Sequence, residues 1–457
     1  MDTQPRVFIS YARSDGEAFA GDLRARLSAE LGVEALWRDR DRMEGGVGWW
    51  KQIADALEAV SFMVLVATPA AMASPVVRKE WRYARQQGVC VYPVQVPGLP
   101  IDFAALPRWM RDSHFYNLDK EWETFVNYLK NPCHAVKVSF MAPDLPAHFV
   151  KRPAQFNELI ARLLDADRQN PVAITTALKG AGGFGKTTLA IALCHDEDVQ
   201  AAFDDGILWA TLGEKPDVVG GLTKLYEALT GVNAAFVDAE QGANKLAEKL
   251  ADKDCLIVID DVWNGVHLQP FLRGGDRCAR LITTRDVGIA VGAKAQMTDV
   301  DEMTAAESID LLSAGVTGVE RGRLARMTAR LGEWALMLEL ANAMLRERMA
   351  TANDTPEHAF AWLEKVLDKR GVRGVHRDNE EQRKQDAAGV LASSLELLTA
   401  DQRDRLKQLA VFKDDADVPL SSVGALWRFD DEFDAEELVL LLARLTLIKF
   451  SSSTGTI

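Results

Sequence analysis

Residues 180–187 read GAGGFGKT and fit the pattern G-x-x-x-x-G-K-[ST]. The apolar run VAITTAL (172–178) precedes them and KTTLAIALC (186–194) follows, so the glycines lie between a predicted strand and a predicted helix. Glycines there let backbone N–H groups turn toward phosphate oxygens, and the helix N-terminus adds positive potential. Gly180, Gly182, Gly183 and Gly185 are the candidate cradle, with Lys186 reaching the β- and γ-phosphates, Thr187 ligating Mg2+ and Thr188 beside it. LIVIDD (256–261) is an apolar strand ending in two carboxylates. Asp260 suits magnesium, directly or through water, and Asp261 suits orientation of an attacking water, although paired acids after a strand also serve as helix caps. Thr283, Thr284 and Arg285 end the next apolar run, where Arg285 is placed either to sense the γ-phosphate or to make a surface salt bridge.

The elements that must position these groups are legible as alternating apolar runs and helical periods. VFI (7–9), ALW (35–37), FMVLV (62–66) and VCVYPV (89–94) read as buried strands of a parallel sheet, with Phe19, Leu23, Leu27 and Leu31 forming one helix face between the first two. NPCHAVKVSFMAPDLPAHFV (131–150) carries three prolines and no clear helical period, which predicts an interdomain linker. A second α/β alternation has strands at 172–178, 207–212, 255–259 and 279–283; helical patterns follow to about 367, then a charged connector (368–386) and a small helical module (387–457).

With 457 residues, 48% hydrophobic and 26% charged, the chain has the composition of globular proteins and a length for about two to four domains. A net charge of -14 disfavours generic nucleic-acid or anionic-membrane binding. The N-terminus shows no secretory signal, and the longest apolar stretch (60–73) contains Pro69 and is too short to span a bilayer, so a cytoplasmic location is expected. The five cysteines are scattered and form no CxxC pair, and are read as reduced, buried small hydrophobes.

From Phe149 onward the motifs resemble the NB-ARC module of STAND-type ATPases. Phe149-Val150-Lys151-Arg152 is similar to the adenine-side entry motif, which implies nucleotide contacts for Val150 and Arg152. Gly332-Glu333-Trp334-Ala335-Leu336 resembles the glycine-leucine-proline-leucine motif with Ala335 at the proline, and 406–427 resembles the opening of the winged-helix subdomain. The Met-His-Asp sensor of that family is expected just beyond this chain, which implies an incomplete winged helix and a further C-terminal region sensing an unknown trigger.

Phe8 to Asp15, Trp37 to Gly46 and Ser74 to Trp81 resemble the loops of TIR domains. That resemblance implies a flavodoxin-like fold over 1–130, and a catalytic role for Glu80 if the domain cleaves NAD+. Ser10, Tyr11, Arg13, Asp41 and Trp49 would line the NAD+ site, with Trp49 and Trp50 either stacking on the cofactor or filling the core. The expected architecture is α/β throughout: TIR domain (1–130), linker (131–150), P-loop domain (151–300), helical subdomain (301–367), connector, and partial winged helix. Three functions compete: an NAD+-consuming effector released by ATP- or ADP-switched self-association through the TIR and NB-ARC domains, a TIR scaffold without chemistry, and a housekeeping ATPase. An acid in the TIR pocket discriminates the first from the second.

Overall fold

The computed structural model describes residues 7–33, 36–37, 49–135, 137–165, 168, 170–176, 182–372, 380–413, 416–429, 431–451 and 454–457. Two of the residues singled out above, Asp41 and Gly180, lie outside the described residues.

The first sheet contains β1 (Val7–Ser10), β2 (Leu36–Trp37), β3 (Phe62–Ala67) and β4 (Cys90–Gln95), all parallel in the order β2-β1-β3-β4. Every side chain of β1 and β3 is buried, as expected of strands covered on both faces. One face packs on helix Arg13–Leu31 through Leu23 and Leu27, with Phe19 and Leu31 partly buried against the same cluster. The other face packs on helices Trp49–Ala59 and Pro75–Gln86. Ser74 caps the latter by accepting the N–H of Val77, and Pro75 fits its first turn because no intrahelical N–H is needed there.

The second sheet comprises β5 (Val172–Thr175), β6 (Gly206–Gly213), β7 (Cys255–Val262), β8 (Ala279–Thr284) and β9 (Gln296–Asp299), parallel in the order β6-β7-β8-β5-β9. The short, half-polar β9 has no run of apolar residues to announce it and was not expected from the sequence. The core on one side of this sheet continues into the following helices, joining Leu189 and Leu193 to Leu338, Met344, Phe360 and Val390. A separate core around Val423, Trp427, Val439 and Leu442 holds the C-terminal module, where the backbone of Ile457 pairs with that of Val418.

One expectation is corrected. Cys90 and Cys133 are bonded to each other, tying the start of the linker to β4; a pair so far apart in sequence leaves no spacing signature. Cys194, Cys255 and Cys278 are free and buried. The linker between the two domains is anchored to the second sheet. Ile207 donates its N–H to Ser139 O and accepts from Met141 N, each at 2.9 Å, which lays residues 139–141 along the free edge of β6. Among the described residues no helix is long and apolar enough to cross a membrane.

Candidate functional site

Helix Lys186–Cys194 opens directly on the glycine loop, with Gly185 at its N-cap in the left-handed conformation (φ 88°). Gly183 is also left-handed (φ 79°). Its carbonyl accepts the N–H of Leu336 at 3.0 Å, while the Gly182 carbonyl accepts the indole N–H of Trp334 at 2.9 Å. The Phe184 and Trp334 rings stack at 5.6 Å between centroids. The start of helix Ala335–Ala352 therefore grips the loop, and the absence of side chains permits the grip: a Cβ on Gly183 would stand 2.7 Å from Leu336 Cβ, and one on Gly182 would stand 2.9 Å from Arg285 Nη1.

The two acids owe their placement to a bulge. Ile259 pairs with Ile282 and Val262 with Thr284, so Asp260 and Asp261 together oppose Thr283. Asp261 takes a left-handed backbone (φ 49°) to accommodate the extra residue. Thr283 bonds to both: its hydroxyl donates to Asp260 Oδ1 at 2.6 Å and accepts the Asp261 N–H at 2.8 Å. Thr187 donates to the same Asp260 oxygen at 2.9 Å. Burial raises the Asp260 pKa, opposed by these two hydroxyl hydrogen bonds. The Asp261 carboxylate accepts the Trp263 indole N–H at 2.8 Å and lies 3.7 Å from Arg285 Nε.

Gly183, Gly185, Thr187, Asp261, Thr283 and Arg285 line a cavity of about 170 Å³ together with Lys186, Thr188, Ala335, Leu336, Glu339 and Lys449. Burial pushes the Lys186 ammonium down to about 8, and Arg285 adds to the effect against the pull of Asp261 and Asp260. Glu339 is raised by burial and opposed by Lys449. A cavity lined by three cationic side chains, Lys186, Arg285 and Lys449, and by Thr187 with Asp260 bonded behind it, suits a polyphosphate and a hard divalent cation, which Thr187 and Asp260 would hold.

Of the residues singled out from sequence, Gly183, Gly185, Lys186, Thr187, Thr188, Asp261 and Arg285 line this cavity, and Asp260 sits behind it on Thr187. Val150 is partly buried against the core and does not line it. Arg152 is buried and engaged elsewhere: it donates to Phe184 O at 3.1 Å, Asp301 O at 3.1 Å and Glu302 O at 2.7 Å, fastening the glycine loop to the segment after β9. Trp334, Glu339 and Lys449 were missed as site residues. Trp334 stood in a motif that drew attention to its neighbour Ala335, whereas nothing local marks Glu339 or Lys449, which only the packing of distant segments brings to the cavity.

In the first domain, Ser10 ends β1 and Glu80 lies on the buried face of helix Pro75–Gln86 with Val77, Trp81 and Ala84. Glu80 is 7% exposed and accepts the Ser10 hydroxyl at 2.6 Å. This pair sits at the carboxyl end of a parallel sheet, where open α/β folds bind ligands. Tyr11 packs partly on the adjacent core, Arg13 is exposed at the start of its helix, and Trp49 opens the helix that carries Trp50. Trp50 contacts Tyr83 edge-on and lies beneath Lys79 Nζ at 4.0 Å.

Known families match two stretches of the chain: a TIR domain model covers residues 7–128 and an NB-ARC domain model covers residues 152–321. The regulatory protein AfsR of Streptomyces griseus is 30% identical over 219 residues, 45% of this chain and 22% of that protein. The disease resistance RPP13-like protein 1 of Arabidopsis thaliana is 31% identical over 142 residues, 29% of this chain and 13% of that protein. Apoptotic protease-activating factor 1 of Danio rerio is 23% identical over 309 residues, 64% of this chain and 23% of that protein. The chain thus spans less than a quarter of each of these relatives. The glycine cradle and the bulged acid pair fall within the region matched by the NB-ARC model and the Ser10–Glu80 pair within that matched by the TIR model, so the chain joins a TIR domain to an NB-ARC domain.

Proposed function

We propose that this chain is a nucleotide-switched signalling protein in which ATP or ADP, held with Mg2+ in the NB-ARC cradle, governs self-association, and in which the assembled TIR domain hydrolyses NAD+. The observation that carries the enzymatic half is the Glu80 carboxylate, buried beside Ser10 at the ligand-binding end of the sheet. Cleavage breaks the bond between nicotinamide N1 and ribose C1′, and the bonding pair leaves with nicotinamide. Positive charge then builds on the sugar, where a carboxylate stabilises it before water adds and loses a proton. A fixed anion in a water-poor pocket does this far better than one in solvent. Ser10, Tyr11, Arg13, Asp41 and Trp49 are the residues proposed to line that site.

In the cradle, Lys186 and Arg285 bind the phosphates, Thr187 and Asp260 hold the metal, and Asp261 orients water once nucleotide binding draws it from Trp263 and Arg285. Magnesium supplies charge neutralisation on the phosphates. Val150 is proposed on the adenine side, and Arg152 acts through the loop it fastens. The presence of a TIR domain makes a housekeeping ATPase the weakest reading. The alternative of a TIR scaffold without chemistry has one observation in its favour: the Ser10 hydroxyl already satisfies Glu80 as a structural pair.

The test is nicotinamide release from NAD+ by the full chain with ATP, or with its TIR domains clustered artificially. Glu80→Gln should cut turnover at least about a hundredfold, roughly 3–4 kcal/mol of transition-state stabilisation, while leaving NAD+ affinity near the parent's. Lys186→Ala should lose nucleotide affinity and recover NAD+ cleavage on forced clustering. No release from the clustered parent would establish the scaffold reading instead, and equal rates for Glu80→Gln would remove Glu80 from the catalytic role.

A further inference from the structure

On helix Pro75–Gln86, Val77, Glu80, Trp81 and Ala84 face inward, while Arg78, Arg82 and Arg85 follow one another at i, i+4 and i+7 along the flank of that face. Arg82 and Arg85 of that stripe meet the nucleotide-binding domain. Arg85 donates to Asp204 O at 2.7 Å, and its guanidinium lies 4.3 Å over the Trp109 ring, which in turn contacts Trp81. Arg82 donates to Gln200 Oε1 at 3.3 Å, and Arg108 donates to Asp252 O at 3.1 Å. The opposing surface carries the carboxylates of Glu197 and Asp198, joined above about pH 7 by that of Asp204, and all three attract Arg82. Basic and acidic surfaces thus face each other across the two domains.

The linker closes the same junction. Val138 donates its N–H to Arg85 O at 3.0 Å, at the end of the Glu80 helix, and the next residues pair with β6. Gly206 makes this possible: its φ of 124° suits glycine, and a Cβ there would stand 2.6 Å from the Ser139 carbonyl oxygen. A strand paired to one domain and bonded to a helix of the other transmits displacement between them.

We propose that the arginine face of the Glu80 helix is a docking surface whose partner is the acidic face of the nucleotide-binding domain in the same chain, with residues 138–141 as the strap that locks it. While docked, the stripe is occupied from within the chain and is not offered to a second TIR domain. Release of the strap frees the TIR domain, and with it the arginine flank of the helix that carries Glu80.

The experiment uses the full chain without nucleotide or NAD+, so its failure is separable from that of the function proposed above. Hydrogen exchange is followed at the amides of Val138 and Met141, and overall size by solution scattering, at about 0.05 and 0.5 M salt. Arg82→Glu with Arg85→Glu should speed exchange at both amides about tenfold or more and expand the particle, as high salt should do more weakly to the parent. Adding Glu197→Arg and Asp204→Arg should restore protection, and Gly206→Ala should release the strap with all charges intact. Continued protection of residues 77–84 shows that the TIR fold survives each change. Parent-like exchange and size in the doubly reversed chain, no rescue by the charge swap, or an unmoved strap in Gly206→Ala would each overturn the proposal.

Discussion

Thr283→Val tests whether one hydroxyl organises the acid pair. The substitution keeps the shape of the side chain in a β-strand that favours β-branched residues, so packing is preserved and only hydrogen bonding changes. Two bonds vanish. Asp260 loses its 2.6 Å donor, worth about 1.5–3 kcal/mol for a buried carboxylate, and the part-buried Asp261 N–H loses its acceptor, worth about 1–2 kcal/mol. Relaxation of the left-handed Asp261 backbone returns about 1–2 kcal/mol. The net loss is about 2 kcal/mol, a fall of about 4–8 °C in the melting temperature of a domain this size. With Asp260 held by Thr187 alone, the affinity for magnesium nucleotide should fall about tenfold, about 1.4 kcal/mol, while the affinity for metal-free nucleotide changes less. Thr283→Ser keeps the hydroxyl and should stay near the parent in both respects. Calorimetric melting and fluorescent-nucleotide titration with and without magnesium provide the readouts. If the valine variant melts and binds like the serine variant, Thr283 does not organise the acids and the bulge alone sets their geometry.

Gly183→Ala should destabilise the nucleotide-free protein by about 1–3 kcal/mol more than Gly185→Ala in denaturant titration; both positions are left-handed, but only the first brings a Cβ against Leu336. Stability should also depend on pH through Asp204, whose carboxyl is pushed from the usual 3.8 up to about 7 by burial, with Asp205 and Asp254 adding and Arg85 and Arg82 opposing. The native chain keeps a proton that the unfolded chain releases, so this contribution is fully present below about 4, is lost as pH rises to about 7 and is flat above it; Asp204→Asn should flatten the melting temperature over that window.

The parts of the site that were legible from sequence are those whose chemistry is local. A glycine run before Lys186 and Thr187, and a hydrophobic strand ending in Asp260 and Asp261, announce themselves because backbone conformation and chemistry are specified within a few residues. The same holds for the buried strands, whose apolar runs need no partner to be recognised. What escaped depends on register and packing. The bulge opposite Thr283 exists only in the pairing of β7 with β8, and Glu339 and Lys449 reach the cavity only because a helix and a non-helical segment far along the chain fold back over it. The linker strand had a faint signal, apolar Val138 and Phe140 alternating with Lys137 and Ser139, but an alternation so short does not distinguish an edge strand from an extended tether.

The bond between Cys90 and Cys133 fixes where the first domain's tether begins. If the strap lets go at Val138 while Met141 stays on β6, the TIR domain can swing only as far as the chain from Cys133 to Met141 extends, about 28 Å. Without that bond the tether starts at Lys130, the end of the last TIR helix, and lengthens to about 38 Å. The volume swept by a tethered domain grows steeply with reach, so the effective concentration of the TIR domain at its own docking surface, and at those of neighbouring chains, is set in part by a single covalent bond remote from both sites.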